Sequence, residues 1–282
     1  MLKIGVASTC LWKLKPEEIV RFAAENGIYS IEFWIDHLQL FENSSKKYYE
    51  GIREDLGKYG VRATVHSISW DINLCSFSKD VRDFSLKEVI KSIDIAEIIG
   101  ADLIVVHPGR MSFERSGKES FLKMLVEVFS EIYKHTWKKG IKLCIENMEP
   151  LKKELLVTWQ DFHDFCSRIG IDEIYITMDV AHLGSYRKVR DFYSNLSNKI
   201  MHIHISDLTN RQMHLPLGKG KLPIKRILNL LKSYNGIYNI EFFNYSSEFN
   251  FGLQKSKINN NEVIDSVKIL KKITYKLKRN TK

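Results

Sequence analysis

The sequence contains few cysteines, and none of them lies in a CxxC pair. The spacings of Cys10, Cys75, Cys144 and Cys166 do not indicate a disulfide framework. No apolar run approaches the roughly 18 residues that a membrane span needs. The first residues, MLKIGVASTC, lack the charged, apolar and cleavage regions of a signal peptide. We therefore expect a cytoplasmic protein with reduced, buried thiols and no contact with a membrane.

Basic residues are in excess, with 43 Lys and Arg against 34 Asp and Glu and a net charge of +9. Such an excess fits an anionic partner, either a phosphorylated metabolite or a nucleic acid. Outside the last stretch, KKITYKLKRNTK, the basic residues are scattered along the chain. Lysines on solvated helix faces therefore explain most of the charge.

Eight short apolar, β-branched segments alternate with helical patterns along the 282 residues. No linker or low-complexity stretch interrupts this alternation, so it predicts one domain over residues 1–282, an α/β (β/α)8 TIM barrel. A doubly wound open sheet is the alternative, but GVASTCLW after the first strand is not a GxGxxG fingerprint. The predicted strands are residues 3–8, 30–35, 62–67, 102–107, 142–147, 174–179, 200–206 and 239–244.

Capping residues mark several of the predicted helices. Pro16 begins the first helix and Gly27 follows its end. Ser85 is the predicted N-cap of a helix that ends at Gly100, and Thr158 opens a later one. The other helical patterns cover residues 119–140, 223–236 and 261–279.

Polar residues recur where the predicted strands end, which is where a barrel of this class gathers its chemistry. A lone histidine at a strand end is more often a hydrogen-bonded structural residue than a ligand. That explanation does not suit six successive strands that all end in a histidine or a carboxylate. Imidazoles and carboxylates gathered on one rim would repel one another or lack partners without a cation. A divalent metal is the simplest explanation. The residues concerned are His66, His107, Glu146, Asp179 with His182, His204 and Glu241.

The two histidines of the seventh strand, His202 and His204, point the same way because they lie two residues apart. His204 is nearer the rim and is the predicted ligand, whereas His202 is predicted to be a core residue bonded to a neighbour. His37, His135 and His163 fall on helices or loops and are predicted to be surface groups.

Several stretches together resemble the xylose isomerase-like TIM-barrel superfamily, which holds sugar-phosphate isomerases and epimerases and also endonuclease IV-type AP endonucleases (AP endonuclease family 2). They are INLCS, AEIIGADLIVVHPGR, LCIENM, TMDVAHLG, HIHISD and HLPLGKG, in the order of that superfamily. The resemblance covers nearly the whole chain. It identifies the superfamily better than the substrate.

The epimerase branch implies one metal held by Glu146, Asp179, His204 and Glu241. In that branch the two glutamates also act as an acid–base pair on opposite faces of a sugar carbon. The resemblance further implies that His182 contacts substrate oxygens, and Arg211 is the nearest candidate for a substrate-binding arginine. Mn²⁺ or Mg²⁺ suits this ligand set, and Zn²⁺ is favoured if His66 and His107 join it.

The nuclease branch implies three zinc ions held by nine ligands, of which eight have counterparts here, including His66, His107 and His214. The ninth is an aspartate, and Gln212 stands in its place. Glutamine is neutral and a weak zinc donor, so the third metal site is predicted to be impaired. The loop SISWDINL after His66 is also one residue longer than the nuclease pattern.

Three functions follow, in order of preference. The first is a metal-dependent isomerase or epimerase of sugars or sugar phosphates, with Trp34, His182, Arg211 and His214 as candidate substrate contacts. Trp12 and Trp70 could wall the sugar together with Trp34, although ordinary packing explains all three tryptophans equally well. The second function is an abasic-site endonuclease that uses zinc and binds nucleic acid. The third is a barrel that has lost catalysis and senses a metal or a sugar, against which the intact glutamate pair argues.

Overall fold

The computed structural model describes residues 2–40, 45–114, 117–243 and 260–279, and in them it confirms the predicted barrel. Eight parallel strands close in sequence order, so that β1 pairs with both β2 and β8. The domain assignment over residues 1–282 stays a prediction. The strands are β1 (Lys3–Ala7), β2 (Ser30–Trp34), β3 (Arg62–His66), β4 (Leu103–Val106), β5 (Lys142–Glu146), β6 (Ile174–Asp179), β7 (Ile200–Ile205) and β8 (Ile237–Ile240).

Helices surround the barrel, and the larger ones connect successive strands. A 3-10 turn at Ser8–Leu11 follows β1. The α-helices of the described residues are α1 (Pro16–Glu25), α2 (Ile35–Leu38), α3 (Lys46–Tyr59), α4 (Lys79–Ile99), α5 (Lys118–Lys138), α6 (Trp159–Ile169), α7 (Val180–Leu183), α8 (Tyr186–Leu196), α9 (Ile224–Leu230) and α10 (Asn260–Arg279). The helical patterns of the sequence do not predict α3 or α8, although each has a serine N-cap.

Of two predicted helix N-caps, one is confirmed by the structure and the other is wrong. Thr158 is the N-cap of α6, and its hydroxyl accepts a hydrogen bond from the amide of Asp161. The Ser85 prediction was wrong, because α4 begins at Lys79 and Ser85 lies inside it. The Ser85 hydroxyl donates to the carbonyl of Val81 and accepts from the amide of Asn73. A helix-interior serine that bonds a loop therefore looked like a cap.

The eighth strand also differs from its prediction at residues 239–244. Ile240 is the last residue to pair with β1 and β7. Beyond it, the carbonyl of Phe242 accepts from the Thr9 hydroxyl and the amide of Phe242 donates to the sulfur of Cys10. Hydrogen bonds with the side chains of Thr9 and Cys10, in the turn after β1, thus take the place of backbone pairing between strands. Residue 244 lies outside the described residues.

The four cysteines lie in the described residues and form no disulfide bond there. Cys10, Cys75 and Cys144 are buried, and Cys166 is half-buried. Over the described ranges, no helix combines the length and the apolar character that crossing a bilayer requires.

Candidate metal centre

Eight of the predicted polar side chains meet at the C-terminal end of the barrel, in three overlapping groups. Within each group the potential ligand atoms lie within 4.8 Å of one another. We call Glu146, Asp179, His204 and Glu241 the central group. The first flanking group is His66, His107 and Glu146, and the second flanking group is Asp179, His182 and His214.

Strand register explains why the central group forms. Asp179 ends β6 directly beside His204 of β7, and Glu146 ends β5 beside Thr177 of β6. The amide of Glu241 donates to the carbonyl of Ile205, which brings β8 level with β7. Parallel strands present their carboxyl ends at one rim, so this register places all four side chains there.

His204 lies at the middle of the central group. Its Nδ1 is 3.1 Å from Glu146 Oε1, 3.1 Å from Glu241 Oε2 and 4.0 Å from Asp179 Oδ2. All four side chains are essentially buried. Among the described residues, nothing donates a hydrogen bond to Asp179 Oδ2 or Glu241 Oε1. Buried carboxylate oxygens without donors are what a bound cation would satisfy, so these residues fit a divalent metal.

Two of the flanking histidines have their tautomer set by the backbone. His66 Nδ1 is 2.8 Å from the carbonyl oxygen of Ser67, and His182 Nδ1 is 2.7 Å from that of Asn147. A carbonyl oxygen only accepts, so both Nδ1 atoms must donate. Each Nε2 then faces the rim as a possible ligand, because a ring orientation fixed in this way is typical of metal-binding imidazoles.

In the first flanking group, His66 Nε2 and His107 Nε2 lie 3.3 Å and 3.2 Å from the same oxygen, Glu146 Oε2. The two nitrogens are 3.2 Å apart. Glu146 therefore turns Oε1 to the central group and Oε2 to the first flanking group. A carboxylate with this arrangement can bridge two cations.

The second flanking group also has three potential ligands. His182 Nε2 and His214 Nε2 are 3.0 Å apart, and Asp179 Oδ1 also caps the short α7 by accepting from the amide of His182. His214 has a positive φ of 52°, an uncommon backbone conformation that often marks functional sites. Gln212 is exposed, and the impairment of a third metal site stays a prediction.

The charges of the central group are strongly coupled. Burial alone would raise the pKa of the Glu146 carboxyl, but His204 and the two other histidines beside it hold that pKa well below its usual range. Burial would lower the pKa of His204, yet Glu241, Glu146 and Glu32 raise it well above its usual range. Without a metal, protonated His204 therefore balances the carboxylates of Glu146 and Glu241, whereas burial raises the pKa of the Asp179 carboxyl.

Two residues predicted to contact substrate lie differently with respect to the cluster. Trp34 is buried, and its ring stacks on His66 with centroids 3.7 Å apart and planes 10° apart. Arg211 is exposed on the loop after β7, and within the described residues no hydrogen bond or ion pair joins its side chain to the three groups. Their role in substrate binding stays a prediction.

A cavity of about 360 Å³ opens beside His107, between the loops that follow β3, β4 and β5. This volume is in the range of small-molecule sites. Its lining includes Trp70, Asn73, His107, Arg110, Met148 and Glu154. Burial and the charge of Glu149 raise the pKa of Glu154 to about 7, so the cavity has a carboxyl that titrates near neutrality.

Sequence reasoning missed two residues that organise the site. Glu32, in the middle of β2, is fully buried beside His202 and His204. The Asn147 side chain accepts from the amide of Asp179 and donates to its carbonyl, which ties β5 to β6. A charged residue inside the apolar run SIEFW was the available signal for Glu32.

The histidine predictions outside the rim had mixed outcomes. His202 is buried beside Glu32, as predicted for a core residue. The prediction for His37 was wrong, because this side chain is fully buried and stacks on Trp12 at 4.7 Å. Its position directly after β2 puts it under the loops of the rim, which its helical context did not indicate.

Comparison with known proteins establishes the family. Residues 20–273 match the model of the xylose isomerase-like TIM barrel family, and the chain belongs to that family. An uncharacterized protein of Methanocaldococcus jannaschii is 27% identical over 276 residues, which is 97% of this chain and 100% of that protein. A protein of Ureaplasma parvum named "probable endonuclease 4" is 24% identical, over 63% of this chain and 65% of that protein.

Solved structures share the fold at low identity. A D-tagatose 3-epimerase-like protein superposes with a TM-score of 0.83 and 23% identity, and the match covers 100% of both chains. An L-ribulose 3-epimerase has a TM-score of 0.80 and 16% identity, with 100% of this chain and 97% of that one covered. At such identities the likeness shows the fold alone.

Proposed function

We propose that this protein is a divalent-metal-dependent isomerase or epimerase of carbohydrates. An isomerase would move a proton between adjacent sugar carbons, and an epimerase would return it to the opposite face of the same carbon. The observation that carries the proposal is the pair of buried glutamates, Glu146 and Glu241. A carboxylate oxygen of each lies 3.1 Å from Nδ1 of His204, so the two carboxylates approach the same imidazole from the ends of β5 and β8. The epimerases of like fold named above are consistent with this function.

Glu146, Asp179, His204 and Glu241 would hold the metal. When bound, the cation polarises a carbonyl and an adjacent hydroxyl oxygen and so acidifies the carbon-bound proton. One glutamate removes that proton and the other returns one. Glu241 suits the first role, because its Oε1 accepts no hydrogen bond from the described residues. With three carboxylates and one imidazole as ligands, Mn²⁺ or Mg²⁺ is the expected ion.

We propose that the substrate enters through the cavity beside His107, with His182 and His214 near its reacting oxygens and Arg211 and Trp34 as further contacts. Arg110 lines this cavity and a neighbouring one of about 560 Å³. A guanidinium suits a phosphate group, so a sugar phosphate is the preferred substrate class. Removing the charge in Arg110→Gln should raise KM for a phosphorylated sugar and leave KM for its unphosphorylated form unchanged.

Exchange of the carbon-bound proton tests the reaction directly. Incubated in D₂O with metal and a panel of ketoses, aldoses and their phosphates, the protein should incorporate deuterium at one carbon of its substrate. Glu241→Gln should lose this exchange by roughly 10²- to 10⁴-fold, the usual contribution of general acid–base catalysis. Exchange that proceeds at the wild-type rate in this variant would refute the acid–base assignment.

One observation favours a second function, hydrolysis of phosphodiesters by an endonuclease IV-like mechanism that uses zinc. The two flanking groups extend the central group on either side, and they share Glu146 and Asp179 with it. Adjacent cations bridged by carboxylates are typical of phosphodiester hydrolysis. In that case Glu146 would have both oxygens occupied, and it could not also carry a proton.

Incision of a duplex with an abasic site distinguishes the two functions. The proposed isomerase should leave such a duplex intact at low enzyme concentration with Mn²⁺, Mg²⁺ or Zn²⁺. Metal-dependent incision that is lost in Glu146→Gln would decide for the nuclease. It would also show that the site tolerates Gln212 and that the positive net charge serves nucleic acid binding.

A further inference from the structure

Glu32 is a charged residue in an unusual place. It lies in the middle of β2, one layer below the rim, and its side chain is fully buried. A buried carboxylate is costly unless hydrogen-bond donors surround it. None of the roles proposed above uses Glu32.

Four polar groups surround the Glu32 carboxylate. His202 Nε2 is 2.8 Å from Oε2, and His204 Nε2 is 3.0 Å from Oε1. Asn239 Nδ2 donates to Oε1 at 3.0 Å, and the Thr64 hydroxyl donates to Oε2 at 3.4 Å. The two imidazole nitrogens lie at these short distances, although neither forms a hydrogen bond of regular geometry with the described residues.

Both oxygens of Glu32 accept hydrogen bonds, one from Asn239 and one from Thr64. His204 Nδ1 lies between Glu146 and Glu241, so a neutral His204 that binds the metal would give it the Nδ1 lone pair and would carry its hydrogen on Nε2. That hydrogen would face Glu32 Oε1, which lies 3.0 Å from Nε2. His66 and His182 show the reverse orientation, in which a backbone carbonyl holds Nδ1 and leaves Nε2 to the rim.

We propose that Glu32 is a positioning residue that holds His204 in the tautomer and ring orientation required to bind the metal through Nδ1. His202 and Asn239 would hold the Glu32 carboxylate in turn. The proposal rests on the metal centre of the proposed function, but it applies equally whether the metal serves isomerisation or hydrolysis. Such outer partners typically change metal affinity by 10- to 100-fold.

Glu32, His202 and His204 could also be read as ligands of a separate, deeper ion. The amide donor of Asn239 argues against this reading, because an N–H group beside the carboxylate would repel a cation there. The deeper ion is therefore an outcome that the experiment must separate from positioning.

Glu32→Gln is the informative variant, because it keeps the shape of the side chain and replaces one acceptor oxygen with a donor. We expect the affinity for Mn²⁺ in the purified full chain to fall by roughly 10- to 100-fold, with saturating Mn²⁺ restoring the stoichiometry. Glu32→Asp keeps the charge and should recover part of that loss. Asp36→Asn is the matched control, since it neutralises a buried carboxylate that bonds the amides of Ser69 and Trp70 instead.

Nitrogen-15 NMR of the Zn²⁺-loaded protein supplies a readout that does not depend on activity. In the wild type, His204 should show a protonated Nε2 with a slowly exchanging, downfield proton, and Glu32→Gln should move that proton upfield. Circular dichroism of both Glu32 variants checks that they fold. If Glu32→Gln does not fold, Glu32→Asp replaces it in the affinity and NMR measurements.

Three results would overturn the proposal. The first is unchanged Mn²⁺ affinity in folded Glu32→Gln, and the second is an unprotonated His204 Nε2 in the Zn²⁺-loaded wild type. The third applies if the wild type binds several ions: Glu32→Gln then loses one ion, and the remaining ions keep their affinity. That result would indicate that Glu32 is a ligand of the deeper ion. Failure of the deuterium exchange alone would count against the isomerase and not against the role of Glu32.

Discussion

At the scale of single residues, Glu146 belongs to both the central and the first flanking group, so a change at this residue affects both. Glu146→Gln should therefore weaken binding by at least the roughly 10- to 100-fold that an outer-shell loss costs. His66→Ala is a useful comparison, since His66 belongs only to the first flanking group. Elemental analysis of dialysed protein measures both variants, and full metal occupancy in Glu146→Gln would contradict the assignment.

His182 makes the stability of the metal-free protein depend on pH. Burial lowers its pKa, but Asp179 and Glu146 outweigh burial and raise it to about 9, above the usual 6.5 of unfolded histidine. A raised pKa in the folded state gives stability that is fully present below about pH 6.5 and is lost as the pH rises through about 9.

In EDTA, we therefore expect the free energy of unfolding to fall between pH 6.5 and pH 9.5, by roughly 3 kcal/mol for this one group. Urea titration at a series of pH values measures the slope, and His182→Asn should reduce it. Binding of metal requires the imidazoles to lose their protons, so the stabilisation by added metal should increase over the same range. A slope that is identical in His182→Asn would rule out this origin.

At the scale of elements, the loops after β3 and β4 are joined through Asn73. Its side-chain oxygen accepts from the amides of Arg110 and Cys75, and its amide group donates to the carbonyl of Arg110. Gly109 has a φ of +81°, and an added Cβ would lie 2.9 Å from both Asn73 Oδ1 and the amide nitrogen of Cys75. The junction therefore needs glycine at this position.

Gly109→Ala should destabilise the protein by at least about 1 kcal/mol, because it combines a left-handed backbone with a steric overlap. Gly51→Ala is the matched control. Gly51 lies inside α3 with nothing within 4 Å of the added Cβ, so alanine there should be neutral or stabilising by up to about 1 kcal/mol. Urea unfolding of both variants checks the difference, and equal effects would show that the junction is not strained.

Elements that use local signals were predictable, and those that depend on distant partners were not. Thr158 and Gly100 mark helix ends through their own backbone chemistry. Ser85 has the same chemistry, but it bonds a loop that the chain reaches only after folding. The end of β8 is set by Thr9 and Cys10, more than 200 residues away, and no periodicity in its own segment reports that contact.

The candidate site also contains features that the sequence could predict and features that depend on distant partners. The barrel rule places every strand end at one rim, so the convergence of the strand-end residues could be predicted from strand order. The choice of the central group among them came from the resemblance to the epimerases. The sharing of Glu146 and Asp179 between groups depends on side-chain rotamers and could not. Glu32 was missed because its partners come from β3, β7 and β8, and its burial is a property of the closed barrel.

At the scale of the whole molecule, the number of metals per chain decides which chemistry the rim can perform. With one ion in the central group, Glu146 Oε2 remains available to exchange a proton. A second ion held by His66, His107 and Glu146 would occupy the other carboxylate oxygen of Glu146 as well. Only Glu241 could then act as acid or base. We expect one tightly bound ion per chain, since the proposed reaction needs both glutamates.

Elemental analysis of protein purified without added metal, together with competition against a chelator, measures this number. Zn²⁺ added in excess should fill the first flanking group only weakly and should inhibit deuterium exchange as it does, because it takes Glu146 out of the acid–base pair. His107→Ala removes a ligand of that group, lies outside the central group, and should relieve the inhibition. Three tightly held zinc ions would decide against a one-metal isomerase and in favour of hydrolysis. Exchange that increases with the second ion would contradict the one-metal mechanism and indicate an isomerase that uses two metals.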